Sequence, residues 1–280
     1  DDFKINGLVK NGSINLLDKK KIDNIDFNFE SKNKYLDINE LNFSYEKINL
    51  ISKKINFKKK NEVVNIEGQI DNNEVSLSKE VIKNIFTPFF DIDIKILKFS
   101  SKNEFLLKVN NKFKVLNYEI KSLLNLSELY IKNDKNLKNI FPDLKSEIKL
   151  KNHQAEIVYK KDNLSISGNG DFLIQKNYNE AQYKIQKIAD QYLFDTKFNF
   201  IDNPINFDFL NYKSDENSKI NLEFNGKLIE GKSLNLEKIK FKNGSDLISI
   251  DSLKLTNDLK ISNFKSAKFN FTDLQNKRNI

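Results

Sequence analysis

Ile220–Gly244 reads INLEFNGKLIEGKSLNLEKIKFKNG. Apolar residues stand at Ile220, Leu222 and Phe224, then at Leu234, Leu236, Ile239 and Phe241, separated by Asn, Glu and Lys. Side chains two apart share one face of an extended strand, so each run has an apolar face and a polar one. That alternation marks an antiparallel sheet wet on one side; a strand of a buried parallel sheet would be apolar throughout. The stretch carries no catalytic constellation.

The same style fills most of the 280 residues: Ile25, Phe27 and Phe29; Val64, Ile66 and Ile70; Phe105, Leu107 and Val109; Ala155, Ile157 and Tyr159; Phe198 and Phe200; Ile248 and Ile250. Some runs hold one extra residue that flips the alternation: LNLEKIKF at Leu234–Phe241, ISIDSLKL at Ile248–Leu255 and LDINELNF at Leu36–Phe43. A tight turn or a bulge would each produce it, and each keeps the apolar residues on one side. Asn11-Gly12, Asn225-Gly226 and Asn243-Gly244 read as hairpin turns. The repeated unit is a hairpin of roughly 20 residues, recurring in pattern rather than in letters. Helical spacing interrupts the strands in SKEVIKNIF from Ser78, with Ser78 as N-cap and Pro88 beyond. LKNIFPDLK gives a shorter echo, read as a helical turn, and QYKIQKIADQYLF at Gln182–Phe194 alternates only in part.

An antiparallel sheet of this length must cover its apolar face, and a sandwich, a barrel or a groove would each do so. With roughly 16 strands an uncoiled ribbon would run about 75 Å, and open sheets that long curl or split. The expected fold is therefore mainly β: a long curved antiparallel sheet of repeated hairpins forming an open, taco-like groove, with one or two short helices. Residues 1–280 read as a single elongated repeating segment, with connectors at 78–90 and 136–145. Apolar residues are 39% and charged residues 31%, which suits a thin core better than a thick globule.

The formal charge is +8, from 47 Lys and Arg against 39 Asp and Glu. The two signs are interspersed, and Lys supplies nearly all the positive charge. KKINFKKK at Lys53–Lys60 reads as a solvated strand face, with a nucleic-acid patch as the disfavoured competitor. Cys is absent, which excludes disulfides and Cys-based metal sites. Met is absent too, including at position 1, so the chain reads as a segment or a processed form. No run of about 18 apolar residues occurs.

Chemistry is scarce. His153 is the single histidine and reads as a surface or strand-face residue. Asn169-Gly170-Asp171 looks like a turn, and no phosphate-cradling or nucleophile-elbow motif occurs. Asp91, Asp93, Asp23 and Asp26 sit in alternating or turn contexts with nothing recognisable nearby to shift a pKa. The chain reads as a non-enzyme without catalytic residues, metal or cofactor.

FKINGLVKNGSINLLDKKKIDNIDFNF and SLNLEKIKFKNGSDLISIDSLKLTNDLKISNFKSAKFNF resemble, in their succession of short alternating strands, the AsmA-like superfamily with its YhdP- and TamB-type envelope proteins. The resemblance is one of style over most of the chain, without a fixed motif. It implies a β-groove that shields phospholipid acyl chains between the inner and outer membranes of the Gram-negative periplasm. It also implies an inner-membrane anchor outside this chain, and envelope proteins or membranes as partners at the ends of the full-length protein. The candidate lining is Leu222, Phe224, Leu236, Ile239, Phe241, Ile250, Leu253, Leu255, Ile261 and Phe269, with ordinary core packing as the competing role for each. The alternative function is a structural or scaffold protein of the envelope with a closed β core.

Overall fold

The structure, a computed structural model, describes residues 3–15, 21–86, 93–112, 114–133, 137–229, 231, 233–256, 260–272, 274 and 278–279. It is mainly β: one antiparallel sheet of 16 strands, not closed into a barrel, with one short helix. The chain divides into two compact units. One takes residues 1–91, 97–126 and 155–161; the other takes 92–96, 127–154 and 162–280.

The first unit is built on β1 (Lys4–Asn15), β2 (Lys21–Lys32), β3 (Tyr35–Tyr45), β4 (Ile48–Lys60) and β5 (Val63–Leu77), followed by helix α1 (Lys79–Phe86). β6 (Ile94–Asn110), β7 (Val115–Lys132) and β8 (Glu147–Lys160) give residues to both units. Strands β1 to β6 pair antiparallel with one another in chain order. Where turns are tight, left-handed residues make them. Glu46 and Lys47, at φ 47° and 67°, close the two-residue loop between β3 and β4, the conformation that matches the twist of paired strands. Helix α1 starts as its sequence predicts, with the Val81 amide 3.5 Å from Ser78 Oγ and the Ile82 amide donating to the Ser78 carbonyl at 2.9 Å. Pro88 and the rest of that connector lie outside the described residues.

The second unit runs β9 (Asn163–Leu173), β10 (Asn179–Ile188), β11 (Gln191–Ile201), then the short β12 (Asn206–Phe207) and β13 (Tyr212–Lys213) with a 3-10 turn between them. It continues through β14 (Lys219–Ile229), β15 (Ser233–Asn243), β16 (Asp246–Thr256), β17 (Ile261–Asn263), β18 (Ser266–Thr272) and β19 (Arg278–Asn279). β9, β10, β11, β14, β15, β16 and β18 pair antiparallel in that order. The ambiguous Gln182–Phe194 stretch resolves into β10, a turn at Ala189 (φ 54°) and β11. LKNIFPDLK holds a single helical turn, with the Phe141 amide donating to the Leu137 carbonyl at 2.8 Å.

The doubled residue of the flipped runs is a bulge, not a turn. Leu36–Phe43, Leu234–Phe241 and Ile248–Leu255 each lie inside one strand, with Glu40 (φ 54°) and Ser252 (φ 55°) in the left-handed region and Glu237 without an opposite number on β14. Two expected Asn-Gly hairpins are corrected likewise. Asn11 (φ 52°) sits at a register shift within β1, and Asn225-Gly226 lies within β14 at the Glu237 bulge. Gly226 is needed there because a Cβ would stand 2.1 Å from the Asn235 carbonyl oxygen. Only Asn243-Gly244 turns the chain, with Gly244 at φ 57° between β15 and β16.

Candidate functional site

The strand registers of the second unit place the apolar residues in rungs that cross neighbouring strands on one face. Leu222, Phe241, Ile248 and Phe269 form one rung with Phe198 and Ala181. The next holds Tyr183, Thr196, Phe224, Ile239, Ile250 and Ala267. Beyond it come Ile185, Phe194, Gly226, Leu236 and Leu253, then Tyr192, Leu228, Leu234, Leu255 and Ile261. All ten candidate residues thus share one face, because each bulge restores the alternation after the extra residue.

They do not share one environment. Between β11 and β14 the chain makes an inward plug, Asn203–Ser214. Ile205 is 1% exposed and Tyr212 is 2% exposed, both in a cluster with Phe172, Phe200, Ile220, Phe241, Ile248 and Phe271. Phe241, itself 1% exposed, meets the rings of Phe207 and Tyr212 edge-on at 5.2 and 5.5 Å. Leu222, Ile250 and Phe269 pack against this cluster while remaining partly exposed. Farther along the strands Phe224, Leu236, Ile239, Leu253 and Leu255 are half-buried, and Ile261 is 68% exposed. Phe241 is therefore core, whereas the rungs away from the plug present apolar surface.

The plug is pinned by polar groups that are themselves buried. Asn203 Nδ2 donates to Asn179 Oδ1 at 2.8 Å, and Asn203 Oδ1 accepts the Lys176 and Asn177 amides at 3.0 and 3.2 Å. Gln175 Nε2 donates to the Pro204 carbonyl, and the Ile205 amide donates to Ser214 Oγ, both at 2.9 Å. The Tyr212 hydroxyl accepts from Asn243 Nδ2 at 3.0 Å, and burial pushes its pKa up to about 12. Such satisfied buried groups fix one arrangement, since leaving any of them unpaired is costly. Nothing in the sequence pattern singled out this plug; its one local signal is Pro204 followed by a short alternation, Ile205, Phe207 and Phe209, that breaks at Leu210.

An apolar face recurs in the first unit, where sequence reasoning nominated no lining. Gly7, Phe29, Ile38, Ile55, Gly68 and Phe105 stand in one rung across six strands, beside Leu36, Phe57, Ile66 and Leu107. The Phe29 ring lies over Gly7, where a Cβ would be 2.2 Å from it. His153 and Tyr183 cover Gly170 and Gly168 of the second unit in the same way. His153, expected at the surface or on a strand face, lies on a strand face of β8 and is only 4% exposed, and Asn169-Gly170-Asp171 runs inside β9 rather than turning.

The opposite face carries exposed cross-strand ion pairs, Lys4–Glu30, Lys54–Asp37 and Lys197–Glu223 among them. Hydrogen bonds from Lys32 and Lys4 hold the Glu30 carboxyl down to about 2. Within Lys53–Lys60, Lys54 pairs with Asp37 and Lys58 lies over the Tyr35 ring. Asp26 Oδ1 accepts the Asn11 amide at 2.7 Å, supporting the β1 bulge, and Asp23 pairs with Lys21. Asp91 lies outside the described residues.

No protein-family model, curated protein or solved structure matches the chain.

Proposed function

We propose that the uncovered apolar rungs shield hydrocarbon chains of lipids, making this chain a non-enzymatic lipid-transfer segment that works in the periplasm between the two membranes. The observation that carries the reading is the single-faced alignment of Phe224, Ile239, Leu236, Leu253, Leu255 and Ile261, which leaves large apolar side chains unsealed beyond the plug. Taking an acyl chain into water costs about 0.8 kcal/mol per CH₂. A lining of Phe, Ile and Leu offsets that cost by taking the place of water along the chain. Native mass spectrometry of the purified protein should show copurifying phospholipid or fatty acyl species. A spectrum of bare protein, together with no uptake of lipid from vesicles, would sink the reading.

A second reading, a scaffold of the cell envelope with a closed core, is favoured by the sealed cluster around Phe241 and Tyr212. It predicts that no part of the face accepts an apolar probe.

A further inference from the structure

On the apolar face of the second unit the Tyr183 hydroxyl is held only loosely, and its surroundings define what it can bind. We propose that Tyr183, backed by His153, anchors the neutral polar end of an alkyl-chain ligand, a hydroxyl or an ester. This rests on the lipid-shielding function proposed above and names the ligand chemistry of the same face.

Tyr183 occupies the rung of Thr196, Phe224, Ile239 and Ile250, so its ring is level with the half-exposed apolar lining. Gly168 lets the phenol lie down across β9: a Cβ there would be 2.7 Å from the Tyr183 oxygen and 2.9 Å from Cζ. Gly170 does the same for His153, whose Cγ and Cδ2 would be 2.3 Å from a Cβ. The two rings consequently lie near one another, centroids 6.0 Å apart and 27° between planes.

The protonation pattern follows from one contact. His153 Nε2 is 2.9 Å from the Asp171 carbonyl oxygen, which only accepts, so Nε2 carries the proton. Nδ1 of the neutral ring is then an acceptor, and its partner is the Tyr183 hydroxyl at 3.4 Å. That separation is well beyond an ordinary O–H hydrogen bond. The hydroxyl can therefore turn its proton to an ester carbonyl, or keep it toward Nδ1 and accept from a ligand hydroxyl. Thr196, its neighbour in the rung, already donates to the Phe224 carbonyl at 3.0 Å.

Among the described residues, no cation is placed at the Tyr183 hydroxyl to receive a carboxylate. Burial holds His153 below its ordinary pKa, which keeps the ring neutral near pH 7. Lys187, on the same face of β10, is two rungs away and lies over the Tyr192 ring. A carboxylate placed at Tyr183 would lose hydration without a cation in return.

The test is displacement of the fluorescent probe N-phenyl-1-naphthylamine from the whole chain by octanol, methyl octanoate, octanoate and octane at pH 7. In the wild-type protein octanol and methyl octanoate should displace the probe at lower concentration than octanoate. Tyr183→Phe should weaken those two by about three- to tenfold, the worth of one neutral hydrogen bond. It should leave octane unchanged, with an unaltered far-UV circular dichroism spectrum. Thr196→Val should keep the order of the four ligands, octanol and methyl octanoate ahead of octanoate. Equal displacement by all four ligands in wild type and in Tyr183→Phe, or octanoate as the best ligand, overturns the anchor while leaving the lipid-binding face intact. Failure of the wild-type protein to bind the probe or any octyl compound removes both proposals.

Discussion

Placing a lysine at Phe241 and, separately, at Phe224 separates sealed core from open wall on a single face. Phe241 is fully buried and edge-packed on Phe207 and Tyr212. Truncating such a ring costs about 3–5 kcal/mol, and Phe241→Lys must in addition bury an ammonium group or expel the plug. The total is of the order of the whole stability of an ordinary domain, about 5–15 kcal/mol. Phe224 is half-buried and touches Phe194 and Phe198 at centroid distances of 6.1 and 5.8 Å. A lysine stem can lie along that wall with its ammonium in water, so Phe224→Lys should cost about 1–2 kcal/mol. Urea titration followed by circular dichroism reads both variants, and native mass spectrometry reads bound acyl chains. Phe241→Lys should unfold the second unit; Phe224→Lys should keep its strands and lose lipid. If Phe241→Lys unfolds at the wild-type urea concentration, the plug does not seal that rung. If Phe224→Lys unfolds as readily as Phe241→Lys, the wall is core and the proposed ligand surface is wrong.

Asn203→Ala should destabilise the second unit by about 3 kcal/mol or more, because the Lys176 and Asn177 amides and Asn179 Oδ1 all lose their buried partner; an unchanged urea midpoint would refute the pinning. Gly226→Ala should cost about 1–3 kcal/mol, since the added methyl meets a backbone oxygen that cannot swing aside, and calorimetry should record a lower melting temperature. His153 gives a pH signature. The unfolded side chain takes up a proton near pH 6.5, about its ordinary value, whereas burial lowers the folded value despite the Asp171 carbonyl. Its contribution is therefore complete above the unfolded pKa and is lost as pH falls from there toward the folded one. The urea midpoint should drop between pH 7.5 and 5.5, and His153→Gln should flatten that slope, as no second histidine titrates in this window.

The strands were legible because a period of two survives whatever lies opposite. Val64 to Ile70 and Ile220 to Phe224 alternate in the sequence and face one way in the sheet. Less legible were the interruptions. Asn225-Gly226 and Asn243-Gly244 look alike as dipeptides, yet one lies inside β14 and the other turns the chain. The difference is whether the following residues pair onward with the same neighbour or reverse upon their own strand, which no dipeptide encodes. The burial of His153 was hidden for a related reason. It depends on Gly170, 17 positions along, leaving room on the adjoining strand.

The sequence by itself determined that this chain is a succession of antiparallel strands with its greasy side chains on a common face. That information is local, since it resides in which neighbours alternate along an extended backbone. Only the tertiary structure decided that Phe241 is closed over while Phe224, Leu253 and Ile261 are not. Burial is a property of what comes to rest above a side chain. Here that cover is a hairpin inserted between β11 and β14, held by Asn203 and Gln175 through partners more than 20 residues distant.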